Sequence, residues 1–399
     1  MRSYYVRHRS HNKGGILLAL VMLVSLGAAI YTGLNNGLPP DNTDDFVNIP
    51  ETISTEEFLD VPAKYDFSLC YFYSQMDDFD KYVYETFYDM IMHKDNQDYS
   101  RVISIPVSEY SARADDLYLI YFAMIEDNPE LFYLDISEEP RVVLEGLISG
   151  DNATIYFSLN PGIENENYMI GALEYATNRF MEDIDLSVSD AEIELQIHDK
   201  LIDLVSYNHS VYESAAGRGL AYTAYGALVD DGEGRNNSAV CEGYANAFQY
   251  LLKRAGIMSV QITGIGGSVV NGVSDEGLHA WNAVLLDGEW YEVDCTWDDP
   301  DFDERDLDEE TVALLQSEEA YFASTHYWYN RTTEEMSHLP DASDYVLEYP
   351  IEGGIAQLYR CHEGYHIREI YSDKYSSTLF DYLNDMLPEA SGTAYGLGL

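Results

Sequence analysis

The chain has 399 residues, 46% of them apolar and 13% aromatic, which is a globular composition with room for two domains and excludes a disordered or fibrous chain. It carries 71 acidic residues against 21 basic ones, and the resulting net charge of −50 repels phosphate backbones, which excludes ordinary nucleic-acid binding. Four cysteines (Cys70, Cys241, Cys295 and Cys361) are too few for a disulfide scaffold, and none forms a C-x-x-C pair of the zinc-ribbon or dithiol redox type.

Residues 1–15 hold Arg2, Arg7, Arg9 and Lys13 and no acid, so the remainder carries −54 against the total of −50. Ile16–Leu34 follows with no charge over 19 residues, the length that crosses a bilayer core. Asp41, Asp44 and Asp45 come soon after. The positive-inside rule predicts a basic cytoplasmic segment (1–15), a membrane anchor (16–34) and an extracytoplasmic remainder. Under that reading the chain is a single-pass cell-membrane protein that touches the membrane through this helix only. A cleaved signal peptide ending near Gly27-Ala28-Ala29 is the alternative and gives a secreted protein. The apolar run continues past that point, which favours the anchor. Residues 35–62, rich in Asn, Asp, Pro and Thr, read as a linker.

Residues 63–188 read as an α+β subdomain. Phe72, Met76, Phe79, Val83, Phe87 and Met90 recur at the helical spacing of three and four, and 112–125 repeats it until Asn128-Pro129. Arg141–Leu147 and Thr154–Leu159 read as strands around a Gly150-Asp151-Asn152 turn, and Glu166–Met181 as a helix. No chemistry is evident in this stretch.

Residues 189–340 carry the chemistry. Asp190–Tyr207 predicts a helix capped by Ser189 or Asp190, with Ile193, Ile197, Leu201 and Leu204 on one face. His198 and Asp199 lie on it, and a lone helical histidine reads as structural. NNSAVCEGYANAFQYLLKRAG (236–256) predicts a second helix, capped by Asn237 or Ser238 and closed by Gly256, with Cys241 in its first turn. Unpaired N–H groups and the helix dipole there favour a thiolate and can hold an oxyanion.

HAWNAVLL (279–286) and WYEVDCTW (290–297) flank Asp287-Gly288, the signature of a two-residue hairpin turn. In the implied register Leu286 pairs with Glu289 and Trp281 lies opposite Asp294. His279 and Asp294 are then diagonal neighbours on one face, with Trp281, Trp290 and Glu292. Cys295 points to the other face and reads as a small core residue. A thiolate needs a base to take and return its proton, and the base needs an acceptor to fix its tautomer. Cys241, His279 and Asp294 supply the three parts. A Cys-bearing helix on an antiparallel sheet that presents His and Asp is the papain-type arrangement, and the fold class is α+β.

CEGYANAFQYLLKRAGI, HAWNAVLLDGEWYEVDCTWDDP and IHDKLIDLVSYN resemble the transglutaminase-like superfamily, in particular its exported bacterial branch, and the upstream DNPELFYL matches a segment often found before that domain. The resemblance implies a nucleophile at Cys241, a base at His279 and an acid at Asp294, with Cys295 departing from the small apolar residue common at its position. It implies acyl transfer from protein or peptide amides, with cell-wall peptides or cell-surface proteins as candidate substrates. The family includes proteases, amidases, cross-linkers and members without activity, so a silent adhesion or scaffold module stays as the alternative. Hydrolysis is favoured, because water is the default acceptor unless a site excludes it. Tyr225 is a candidate oxyanion donor, and Trp281 and Trp297 are candidate groove walls.

Residues 341–399 read as a C-terminal extension of unassigned role. Within it His362-Glu363-Gly364-Tyr365-His366 matches the H-E-x-x-H pattern of zinc metalloproteases, which requires a helix. The flanks alternate like strands, so a strand pair with a Glu-Gly turn is the reading here. The acid run from Asp298 to Glu310 lacks calcium-loop spacing and reads as a solvated loop. No cofactor and no metal ligand set is assigned.

Overall fold

The computed structural model describes residues 65–92, 100–104, 119–134, 141–145, 152–156, 159–160, 162–212, 219–230, 237–270, 273–299, 325–337, 346–351, 354–359, 364–368 and 383–396. The segments expected as anchor (16–34) and linker (35–62) lie outside these residues, as do Cys361, His362, Glu363 and most of the acid run. Among the described residues no helix is long and apolar enough to cross a membrane. The chain divides into two units, with the boundary between Pro161 and Gly162.

In the first unit the helix expected from Tyr65 onward is two helices, α1 (Tyr71–Gln75) and α2 (Asp78–Met92), separated where Met76 turns extended. Asp127 causes the separate start of α1. Its carboxylate accepts from the N–H groups of Phe72 (3.0 Å) and Tyr73 (2.9 Å), donors that the first turn of a helix leaves unpaired. The DNPE segment is thus a helix clamp. Val83 and Phe87 of α2 are buried as the spacing predicts, and Ile91 is buried with them. Strands β1 (Ser100–Ser104), β2 (Arg141–Glu145) and β3 (Asn152–Tyr156) form an antiparallel sheet in the order β1-β3-β2.

The second unit takes up the chain at Gly162, inside the span read as the 63–188 subdomain, and its first helix is α3 (Glu166–Met181). Contacts explain the earlier start. Glu174 pairs with Arg254 at 2.7 Å, and Lys200 donates to the Phe180 carbonyl at 2.7 Å. Helix α4 (Asp190–Leu204) opens with a full capping box between Ser189 and Glu192 and buries Ile193, Ile197 and Leu201. Strands β4 (Val205–Tyr207) and β5 (Asn237–Ala239) pair in parallel on either side of the short helix α5 (Ala224–Leu228). This pairing takes Asn237 and Ser238 out of their expected capping role. Helix α6 (Cys241–Ala255) is instead preceded by Val240, with no side-chain cap, and ends at left-handed Gly256.

Strands β6 (Ser259–Val270), β7 (Val273–Leu286) and β8 (Glu289–Val293) form an antiparallel sheet that buries α6 on one side. Asn282 of β7 donates to the Ala245 carbonyl of α6 at 3.1 Å. Asp287 (φ 51°) and Gly288 (φ 87°) are both left-handed, the geometry of a type I′ hairpin. The register runs from Leu286↔Glu289 to Asn282↔Val293, as the turn dictates. It stops one residue short of the expected Trp281–Asp294 pair, because the Asp294 N–H turns to the Trp328 carbonyl (3.1 Å).

The short helix α7 (Thr333–Ser337) and a hairpin of β9 (Val346–Ile351) and β10 (Gly354–Tyr359) follow. Strand β11 (Gly364–Ile367) then pairs antiparallel with β6, giving the sheet order β11-β6-β7-β8. Part of the segment read as an extension is therefore the edge of the sheet that carries His279. Gly364–Ile367 is a strand, not the helix that H-E-x-x-H would need.

Candidate active site

Cys241 is the first residue of α6 and is half-buried. The opening turn of any helix offers N–H groups without intrahelical acceptors, together with the positive end of the dipole, and here no side-chain cap competes for them. His279 projects from β7, and its Nε2 lies 2.7 Å from Asp294 Oδ2. The Cys241 thiol is near enough to help raise the pKa of the ring. With Nε2 engaged by the carboxylate, Nδ1 is the nitrogen left for sulfur. Oδ1 of Asp294 accepts from the N–H groups of Thr296 (2.9 Å) and Trp297 (3.1 Å), so the carboxylate is anchored by the turn that follows β8.

Burial opposes a charge on the His279 ring. The charge of Asp294, the hydrogen bond to it and the thiol outweigh burial and push the imidazole up to about 10. Burial likewise raises Asp294, but the charges and hydrogen bonds of His279 and His366 hold it well below the usual carboxylate range. The two form an ion pair inside the protein. Cys295 is 2% exposed, and burial followed by the charges of Asp298 and Asp294 pushes its thiol well up, so it is an inert core thiol as its strand position predicts.

The structure gives His366, met in the sequence only through the H-E-x-x-H match, a place at this site. His366 Nε2 lies 2.8 Å from the same Asp294 Oδ2, so one carboxylate oxygen serves two imidazoles. The ring is enclosed by Trp297 (4.3 Å between centroids), Trp328 (4.6 Å), Trp281 (4.9 Å) and His279 (5.4 Å). Burial, only partly offset by Asp294, lowers its pKa and keeps it neutral. It therefore donates Nε2–H to the carboxylate, while buried Nδ1 has no hydrogen-bond partner. The H-E-x-x-H match singles out this histidine for a different role; its contact with Asp294 comes from a strand 72 residues away.

Residues 183–295 match the family model of the transglutaminase-like superfamily. The chain carries a transglutaminase-like domain. Two curated relatives are both named Kyphoscoliosis peptidase. The mouse (Mus musculus) protein is 29% identical over 136 residues, 30% of this chain and 21% of the relative. The human (Homo sapiens) protein is 37% identical over 67 residues, 16% of this chain and 10% of the relative. The chain thus spans about a fifth or less of the length of these relatives. Among solved structures, one titled as the crystal structure of a TGase aligns with a TM-score of 0.24 at 13% identity, covering 51% of this chain and 52% of that one.

Within the transglutaminase-like domain the remaining candidates separate. Trp281 is 1% exposed, stacks beside His279 (6.1 Å, 22° between planes) and donates from Nε1 to Glu292 at 2.5 Å. It backs the imidazole from the core, and burial excludes it as a wall of an open groove. Trp297 is half-buried, 5.1 Å from the His279 ring. Tyr225 sits on α5, half-buried, with its phenol raised by burial and by nearby Tyr168. Asp298 and Asp299, expected in a solvated loop, are 0% and 5% exposed. Asp298 accepts from the Trp328 N–H at 2.9 Å, and Asp299 from the Tyr244 hydroxyl, so the start of the acid run is structural.

Glycines on β6 and β11 make the crowding possible. A Cβ at Gly266 would lie 2.9 Å from both Cβ and Cγ of His279, and one at Gly364 would lie 2.4 Å from the Trp297 ring.

Proposed function

We propose that the domain is a thiol acyl-transfer enzyme acting on protein or peptide amides, with Cys241 as nucleophile, His279 as base and Asp294 as the residue that orients the base. The observation that carries this reading is the buried 2.7 Å contact of His279 Nε2 with Asp294, on a ring that the Cys241 thiol also influences. In the first step the thiol proton has passed to His279, and Sγ as thiolate attacks the amide carbonyl carbon beside the imidazolium. N–H groups at the start of α6 receive the oxyanion. Collapse breaks the C–N bond, the amine leaves with the proton from His279, and a thioester remains. Water, deprotonated by His279, then attacks the thioester, releasing a carboxylic acid and restoring the thiol.

Hydrolysis is preferred to cross-linking because water is the default acceptor, and the peptidase names of the mouse and human relatives agree with it. We extend the proposal to location on sequence grounds: the uncharged 16–34 segment between a basic and an acidic flank fits an anchor that holds the domain outside the membrane. Cell-wall peptides and surface proteins are the matching substrate classes.

The test is labelling with a peptidyl fluoromethylketone, followed by incubation with amide substrates with and without an added amine. The expected result is stoichiometric labelling that Cys241→Ala abolishes, and release of free acid that an amine diverts only in part. Unchanged labelling in Cys241→Ala overturns the nucleophile, and exclusive amine transfer overturns hydrolysis.

A further inference from the structure

We infer that α4 and the segment around His326 carry a site for a divalent transition-metal cation of the zinc class, held by His198 Nδ1, Asp199 Oδ1 and His326 Nε2. These three atoms lie within 4.8 Å of one another. Asp199 Oδ1 is 3.0 Å from His198 Nδ1 and 2.8 Å from His326 Nε2. Tetrahedral zinc, with bonds of about 2.0–2.2 Å, spaces its ligand atoms by about 3.3 Å, so the cluster is within a few tenths of an ångström of ligating geometry for those two pairs.

The outer shell of such a site is also present. His198 Nε2 meets Asp298 Oδ2 at 3.3 Å, and His326 Nδ1 meets Thr325 Oγ1 at 2.9 Å. Acceptors on the far nitrogen fix the tautomer that turns the near nitrogen's lone pair toward a metal.

Asp199 and Asp298 both face His198, and neither hydrogen-bonds a Lys or Arg among the described residues. Glu194 lies one helical turn before His198, is fully buried, and its Oε1 has no hydrogen-bond partner. Both rings are buried, while the Asp199 side chain is 48% exposed, which gives an ion a way in and leaves room for a water ligand. Zinc-class ions suit two imidazoles and one carboxylate better than calcium or magnesium, which take oxygen ligands.

The experiment uses the full chain without a histidine tag, carrying Cys241→Ser to remove the catalytic thiolate as a ligand. After stripping with EDTA it is titrated with Co²⁺, with visible d–d absorption and elemental analysis as readouts. The expected result is one Co²⁺ per chain, displaced by Zn²⁺, with affinity reduced by about 100-fold or more in His326→Ala and in Asp199→Asn and unchanged in His366→Phe. If His326→Ala does not fold, Asp199→Asn at its half-exposed position decides. Absence of a d–d band at millimolar Co²⁺, or a band that survives Asp199→Asn, overturns the site.

Discussion

Asp294→Asn removes a buried negative charge and keeps the shape of the side chain. In the native site Oδ2 accepts from two imidazoles and Oδ1 from two backbone N–H groups, so all four partners are donors. An amide offers one acceptor and one donor end. If its oxygen stays with Thr296 and Trp297, its NH₂ faces both Nε2 atoms. His279 must then carry its proton on Nδ1, the nitrogen left for sulfur, and can no longer take one from the thiol. The expected fall in acylation is about 10³–10⁴-fold. The electrostatic consequence follows from the ring being held at about 10 instead of its ordinary 6.5, which corresponds to roughly 5 kcal/mol in favour of the charged form. Because His279 is raised, this stabilisation is complete below about pH 6.5 and is lost as pH climbs through about 10. Because Asp294 is depressed, its share is present above its ordinary 3.8 and is lost only as pH falls through its lowered value. Thermal melts of wild type and Asp294→Asn from pH 4 to 10 should therefore differ most between about pH 4 and 6.5, by roughly 3–5 kcal/mol. The gap should narrow steadily toward pH 10. A gap that does not change with pH refutes the ion-pair reasoning.

His366→Phe keeps the aromatic enclosure and removes one donor to Asp294. A fall in kcat of about 5- to 100-fold with KM little changed is expected from steady-state kinetics, and an unaltered kcat would reduce His366 to packing. Gly266→Ala drives a Cβ to 2.9 Å from the His279 ring. It should lower kcat and cost about 1–3 kcal/mol in denaturant melts, whereas a wild-type pH profile and melt would mean that the strand yields freely. Cys295→Ala should leave probe labelling intact, with stability lower by about 1 kcal/mol or less on unfolding in urea; loss of labelling would make Cys295 part of the chemistry.

The sequence by itself determined the local features. The Asp287-Gly288 turn sets the β7–β8 register because a two-residue hairpin admits one pairing, and that register brings His279 and Asp294 to the same side. Apolar periodicity marks α4 and α6, and Ser189 and Gly256 mark ends whose chemistry is contained within a few residues. Tertiary structure decided what depends on distant partners. The start of α6 moved to Val240 because β5 found β4, some thirty residues upstream. Trp281, legible as a neighbour of His279, is core because Glu292 and His366 close over it. The contact of His366 with Asp294 and the clustering of His198, Asp298 and His326 were illegible for the same reason. Each is a contact across 72 residues or more, between segments whose own patterns say only strand, helix or loop. Periodicity reports which face a residue occupies; which other face it meets is set by packing of the whole chain.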